Sequence, residues 1–505
     1  MEAISEIIES GEVARLIPVI ADSRREQRVA SVFLATLSAV PDFAQVLLST
    51  LGVRLGKRAF IDTYTEVVLK GHKDTKDRPD GLIVVSSGKN TWKALVEAKI
   101  GNASLDDDQV QRYLQISRDC GIDAVISISN QFAVRPTHSP VKVNKVLTRR
   151  VDLFHWSWKM ILTEAVLLQT RGVVTDPDQA FLLREFIRFL SHDSIGITGF
   201  DQMPKEWKDL VTLVKSGGTI AKGSREAQSV VAAWHQEMRD LALRISQHLA
   251  SNVNLKLSRA QAASADQFLS DDVGILAVHK RLEAELDVPN AASTLRVTAD
   301  LTRQTIRVGM ELDAPQDRKR SVARVNWLLR QIRGVEDPAL FVRIIWPSKA
   351  QDTVCRLADL RENADQIVGN APYPPKSFEV FLLVDDGRRF PGRKTFIEDL
   401  ERAVPRFYDN VGQNLERWIA KPPKPVAVSQ IEQDDGVARG DPATKVGEEA
   451  GPKDPPRLNA GNQHAALLEI PRFLQREPDR GPLATEVDSV PQAMESSETR
   501  PPSSR

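Results

Sequence analysis

The chain has 505 residues, with 68 Lys and Arg against 68 Asp and Glu, 41% hydrophobic and 27% charged residues. At about 100 to 200 residues per domain there is room for two or three cored domains, and the balanced charge means that any nucleic-acid-binding surface must be local. The two cysteines, Cys120 and Cys355, have no Cys or His neighbour at ligand spacing, which argues against a thiolate zinc site and excludes a disulfide framework. An acidic N-terminus and the lack of any run of about 18 apolar residues give the expectation of a cytoplasmic protein without a membrane span.

From Glu2 to about Gly52 apolar residues recur at helical spacing, as in Val29, Val32, Phe33 and Leu37, which predicts two or three helices. Phe60 to Lys70, Asp80 to Val85 and Trp92 to Ile100 are short, apolar or alternating, and bounded by turn residues; they predict three consecutive strands. Leu105 to Asp119 returns to helical spacing with acids at its start, where negative charge suits the helix dipole. Gly121 stops it, and Ala124 to Ser129 and Val151 to Trp158 read as further strands. The first domain is therefore expected over residues 1–195.

Residues 196–292 read as a mostly helical connecting region, including Ser224 to Leu249, and no motif stands out there. Between 293 and 420 strand-like and helix-like stretches alternate, predicting a second α/β domain whose open roles are reading sequence, binding a partner or forming a homodimer. Residues 421–505 shift to Pro, Glu, Gly and Ser and are expected to be a disordered tail. Its apolar island, with Leu467 to Leu474 at the centre, is a candidate docking helix for a protein partner.

Chemistry concentrates in Pro79-Asp80-Gly81, then Glu97-Ala98-Lys99, then Gln109 to Tyr113. In a strand, residues two apart share a face, so Glu97 and Lys99 project together while Val96, Ala98 and Ile100 face an apolar layer. A turn near Ser86 to Asn90 would bring Asp80 towards Glu97. Glu66, on the polar parity of the preceding strand, is a candidate third carboxylate. Two or three carboxylates on one face suit Mg²⁺, with Mn²⁺ as a substitute, and a lysine beside them can position or activate water.

Pro79-Asp80 with Glu97-Ala98-Lys99 resembles the signature of the PD-(D/E)XK nucleases, and the element order is similar to their restriction endonuclease-like core, a mixed sheet flanked by helices. The resemblance implies a fold of that type over roughly Arg24 to Trp158. It implies that Asp80 and Glu97 bind metal, that the Ala98 carbonyl completes the coordination, and that Lys99 handles the attacking water. Gln109 and Tyr113 match the Gln-x-x-x-Tyr motif of the branch related to recombination exonucleases, and Glu26 corresponds to the family's helical glutamate. The implied activity is phosphodiester hydrolysis; the resemblance does not separate DNA from RNA, and DNA is the favoured expectation. Lys73, Lys76, Arg78, Lys142, Lys145 and Arg149 are the candidates for phosphate contacts.

Alone, Glu-x-Lys is ordinary charge on a solvated strand; the ordered set gives it force. The rival expectation is a non-catalytic nucleic-acid-binding or scaffold protein that uses a nuclease-like fold in stress response or defence. The histidines are scattered, with no His-x-x-x-His pair, and the glycines near Ser216 to Ser224 lack phosphate-loop spacing, so zinc chemistry and ATP-driven translocation find no support.

Overall fold

The alternating stretches of the first 160 residues become one six-stranded sheet. In the computed structural model the described residues are 8–17, 24–56, 58–72, 78–88, 90–348, 350–369, 371–385 and 387–420. Strands β1 (Ile8–Val13), β2 (Phe60–Leu69), β3 (Gly81–Ser87), β4 (Asn90–Ala98), β5 (Ala124–Ser129) and β6 (Asp152–Ser157) lie side by side in chain order. The first four are antiparallel, while β4, β5 and β6 run parallel. A parallel pair needs a crossover, and α3 (Asp107–Asp119) supplies the one between β4 and β5.

Each face of this sheet has its own core. On one, α1 (Arg25–Ala39) and α2 (Pro41–Ser49) pack with α4 (Trp158–Thr170) and α5 (Pro177–Leu190). Phe33 of α1 meets Trp156 and Trp158 edge to face at 6.2 and 5.8 Å, an arrangement that aromatic quadrupoles favour. On the other, Val110, Tyr113 and Leu114 of α3 cover Leu82, Val84, Leu95 and Val125.

The N-terminus departs from the helical expectation. Ile8–Val13 is a strand that pairs with β2 across more than 50 residues of chain, a pairing that local spacing does not encode. The β1–β2 register shifts between Ser10 and Glu12, so that Val68 and Thr65 face them and the residues between form a bulge. Glu66 sits in that bulge with φ of 54°.

Gly81 opens β3 where Leu34 of α1 packs against its backbone. A Cβ there would overlap Leu34 Cδ1 and stand 3.1 Å from the Tyr64 carbonyl oxygen. Gly81→Ala is expected to destabilise the fold by about 1–3 kcal/mol through overpacking, measured by urea denaturation.

The second sheet has seven strands in the order β12-β11-β13-β10-β9-β8-β7, antiparallel throughout. They are β7 (Asn254–Leu255), β8 (Arg281–Asp287), β9 (Leu295–Asp300), β10 (Thr305–Asp313), β11 (Leu340–Ile345), β12 (Thr353–Arg356) and β13 (Ser377–Asp385). Strands and helices alternate along 293–420, yet no parallel βαβ unit forms among the described residues of this sheet. Two strands, β7 and β8, come from the segment 196–292.

The helices of that segment are α6 (Glu206–Lys215), α7 (Arg225–Leu249), α8 (Arg259–Ala263) and α9 (Ala265–His279); α10 (Ser321–Gln331), α11 (Leu357–Glu362), α12 (Ala364–Val368) and α13 (Arg393–Asn410) follow. One continuous core runs from Met203 to Leu415. The long α7 gives Trp234, Met238 and Leu241 to this core and Leu243 to the α1 side of the first sheet.

Among the described residues no single helix is long and apolar enough to cross a membrane; α1 and α2 reach the threshold only as a pair bent by 105°, and both helices supply residues to the core. The tail segment Leu467 to Leu474 lies outside the described residues.

Candidate active site at the ends of the third and fourth strands

The short link between Ser87 and Asn90 fixes the β3–β4 register, with Ser87 opposite Asn90 and Gly81 opposite Val96. Asp80, one residue before β3, is therefore carried to the far end of β4. Its Oδ2 accepts a hydrogen bond from the Ala98 N–H at 2.8 Å. Val96 and Ala98 enter the core beneath α1, whereas Leu95 faces α3, so Glu97 two positions on points the same way as Leu95.

Lys99 Nζ donates to Glu97 Oε1 at 2.6 Å and stands 3.6 Å from Glu26 Oε2 in the first turn of α1. Glu26 Oε1 also accepts from the Ile100 N–H at 3.4 Å. The backbone around Lys99 is held on several sides: its N–H donates to Ile128 O at 2.8 Å, and its carbonyl accepts from Trp158 Nε1 at 2.8 Å. Gly101 N–H and the Asn130 amide both donate to Gly196 O. Such bracing keeps charged side chains from relaxing apart.

Tyr113 closes the site from α3. Asp106 caps that helix by accepting from the N–H groups of Asp108 and Gln109, which sets Gln109 and Tyr113 one turn apart on its inner face. The Tyr113 hydroxyl donates to the Arg78 carbonyl at 2.9 Å, accepts from Gln109 Nε2 at 3.1 Å, and also lies in hydrogen-bonding contact with Glu97. Tyr113→Phe should cost about 1–2 kcal/mol of stability in urea denaturation, because it leaves the buried partners of the hydroxyl unsatisfied.

Burial dominates the electrostatics. It pushes the Asp80 carboxyl up to about 8, with the negative charge of Glu97 adding to the effect and the Ala98 N–H and Lys99 opposing it. Glu97, with a side chain 2% exposed, is raised by burial against the pull of Lys99 and Tyr113. Burial lowers Lys99, but Glu97, Asp80 and Glu26 outweigh it and hold the ammonium above its ordinary range. The site thus gathers carboxyl groups around one fixed cation.

No protein-family model matches the chain, and no curated protein matches it.

Of the residues singled out in the sequence, Asp80, Glu97, Ala98, Lys99, Gln109 and Tyr113 come together. Glu66 does not join them through any contact seen here: the bulge interrupts the alternation, Val67 and Leu69 take the face towards α3, and the Glu66 carboxylate pairs with Arg78 at 3.3 Å. Glu26, matched to the helical glutamate through the resemblance, does reach the group, with Lys99 between it and Glu97. Trp158, expected at the end of a strand, is the first residue of α4 and anchors the Lys99 carbonyl.

Among the basic candidates, Arg78 is exposed and its own carbonyl is part of the site. Lys142, Lys145 and Arg149 are exposed on a loop that rests on α3, through Lys142 N–H to Asp107 and Asn144 N–H to the Gln111 side chain. Lys145 pairs with Asp266 at 2.8 Å. Lys73 and Lys76 lie outside the described residues.

Two carboxylates from neighbouring segments, with the backbone between them, offer oxygens that could hold a Mg²⁺ ion, which keeps several waters and takes only one or two protein carboxylates, and Lys99 stands beside them.

Proposed function

We propose that the chain is a metal-dependent nuclease of the PD-(D/E)XK type, with a restriction endonuclease-like core in its first sheet and DNA as its preferred substrate. One observation carries the reading: Asp80 is hydrogen-bonded to the middle residue of Glu97-Ala98-Lys99, at 2.8 Å, and Lys99 is bonded to Glu97 at 2.6 Å. Two carboxylates and a cation therefore converge from two strands on one face.

In this reading Asp80 and Glu97 hold Mg²⁺ or Mn²⁺, with the Ala98 carbonyl as a further donor; the metal polarises the phosphate and stabilises the leaving oxygen. Lys99, fixed by Glu97 and Glu26, orients water and offsets charge developing on the phosphate. Gln109 and Tyr113 keep Glu97 aligned. Arg78 and the exposed Lys142, Lys145 and Arg149 contact the phosphate backbone, a sequence-independent attraction that weakens with salt.

The test is incubation of the purified chain with linear and closed-circular DNA, with Mg²⁺ or with chelator. Cleavage in Mg²⁺ alone is expected. Binding of DNA without cleavage, indifferent to Mg²⁺ and to Asp80→Asn, would overturn the proposal in favour of a recognition or scaffold role.

A further inference from the structure

Far from Asp80 in sequence, α7 and α13 bring three more carboxylates together. Glu237 and Asp240, one turn apart on α7, and Glu401 of α13 each offer an oxygen, and these oxygens all lie within 4.8 Å of one another. Glu237 and Asp240 are fully buried, at 0% exposure. Their neighbours Trp234, Met238 and Leu241 belong to the apolar core, and an ordinary helix contact would carry apolar residues at these positions too.

The hydrogen bonding of the cluster is incomplete in a specific way. Asp240 Oδ2 accepts from the Phe200 N–H at 2.9 Å and from Arg244 at 3.1 Å, and Arg244 also pairs with Glu401 at 2.7 Å. Both Glu237 oxygens and Asp240 Oδ1 are buried without a hydrogen-bond partner. A carboxylate with neither oxygen satisfied is costly to bury and calls for a ligand.

We infer that Glu237, Asp240 and Glu401 form a second divalent-cation site, structural in role, that ties α7 to α13. All-oxygen donors select a hard cation. Burial distinguishes which one: Mg²⁺ gives up its waters reluctantly, whereas Ca²⁺ accepts a flexible shell of protein oxygens, and Glu237 and Asp240 are fully buried. The cluster therefore suits Ca²⁺ better than Mg²⁺. Glu401, with a side chain 21% exposed, marks the side from which the ion and its waters enter. Arg244 and the Phe200 N–H occupy one oxygen of Asp240 and orient the other.

The experiment is calorimetric titration of the full chain, stripped with chelator, with Ca²⁺ and separately with Mg²⁺. It is done in an Asp80→Asn, Glu97→Gln background, which silences the proposed catalytic site. One equivalent of Ca²⁺ should bind, tighter than Mg²⁺, and raise the thermal midpoint. Glu237→Gln, and independently the partly exposed Glu401→Gln, should each weaken Ca²⁺ binding at least about tenfold, with folding checked by circular dichroism. A flat Ca²⁺ titration of the folded background protein would overturn the site and leave Glu237 as a buried protonated acid. Ca²⁺ binding unaffected by both substitutions would overturn it equally.

Discussion

Asp80→Asn is expected to lose Mg²⁺-dependent cleavage by about a thousandfold or more while making the metal-free fold more stable. Loss of a charged metal ligand removes several kcal/mol of transition-state stabilisation, about the free energy that corresponds to that factor. The gain in stability has a separate cause. Asp80 is pushed up to about 8 first by burial and then by Glu97, well above its unfolded value of about 3.9. Between those two values the native state holds a proton that the unfolded chain releases, so metal-free stability falls as pH rises. An amide carries no charge and can still accept the Ala98 N–H. The Asn variant should therefore exceed the parent by about 1–3 kcal/mol at pH 8 in chelator, and the margin should shrink towards pH 5. Saturating Mg²⁺ should narrow or reverse the order, because only the parent gains full binding energy. Urea denaturation at the two pH values decides it. A variant less stable than the parent at pH 8 in chelator would show that the Asp80 charge supports the fold instead of straining it.

The strands of this site were legible because their information is local. Val96, Ala98 and Ile100 alternate with Glu97 and Lys99, and the burial of the first three under α1 follows from period two alone. Asp80 could be placed because the link between β3 and β4 is too short to allow another register. Where position depended on distant chain, residue spacing said little. Glu26 reaches Lys99 across more than 70 residues, and only the resemblance singled it out, since nothing in α1 marks that residue apart from an acid in a first turn. Glu66 was expected on the site's face by alternation, and the bulge opposite Gly11 broke the alternation at that residue. The β1 strand itself depends on pairing with β2, not on its own pattern.

Glu237 and Asp240 illustrate the same limit more sharply. Acids three apart on a long amphipathic helix ordinarily belong to its solvated face. Only the packing of α13 across α7, which carries Glu401 and is joined to Asp240 through Arg244, shows that this face is interior. Nothing in the spacing of α7 marks a helix flanked by two sheets; Leu243 on one side and Trp234 on the other show it only in three dimensions.

Lys99 is where the structure sharpens the proposed chemistry most. A lysine that deprotonates water must be neutral for part of its cycle, and desolvation is the usual means of lowering it into range. Here burial does act in that direction, but Glu97 at 2.6 Å, Asp80 and Glu26 outweigh it and hold the ammonium charged. In the proposed reaction Lys99 therefore serves as a fixed positive charge and hydrogen-bond donor. Lys99→Met is expected to reduce cleavage by about a hundred- to a thousandfold, the scale for losing one preorganised donor to developing charge. Lys99→Arg, which keeps charge and donors but not the compact shape, should retain several-fold more activity than Lys99→Met. The pH–rate profile of the parent should show no ionisation that disappears in the Arg variant. Equal inactivity of the Arg and Met variants, with such an ionisation present in the parent, would instead identify Lys99 as the base.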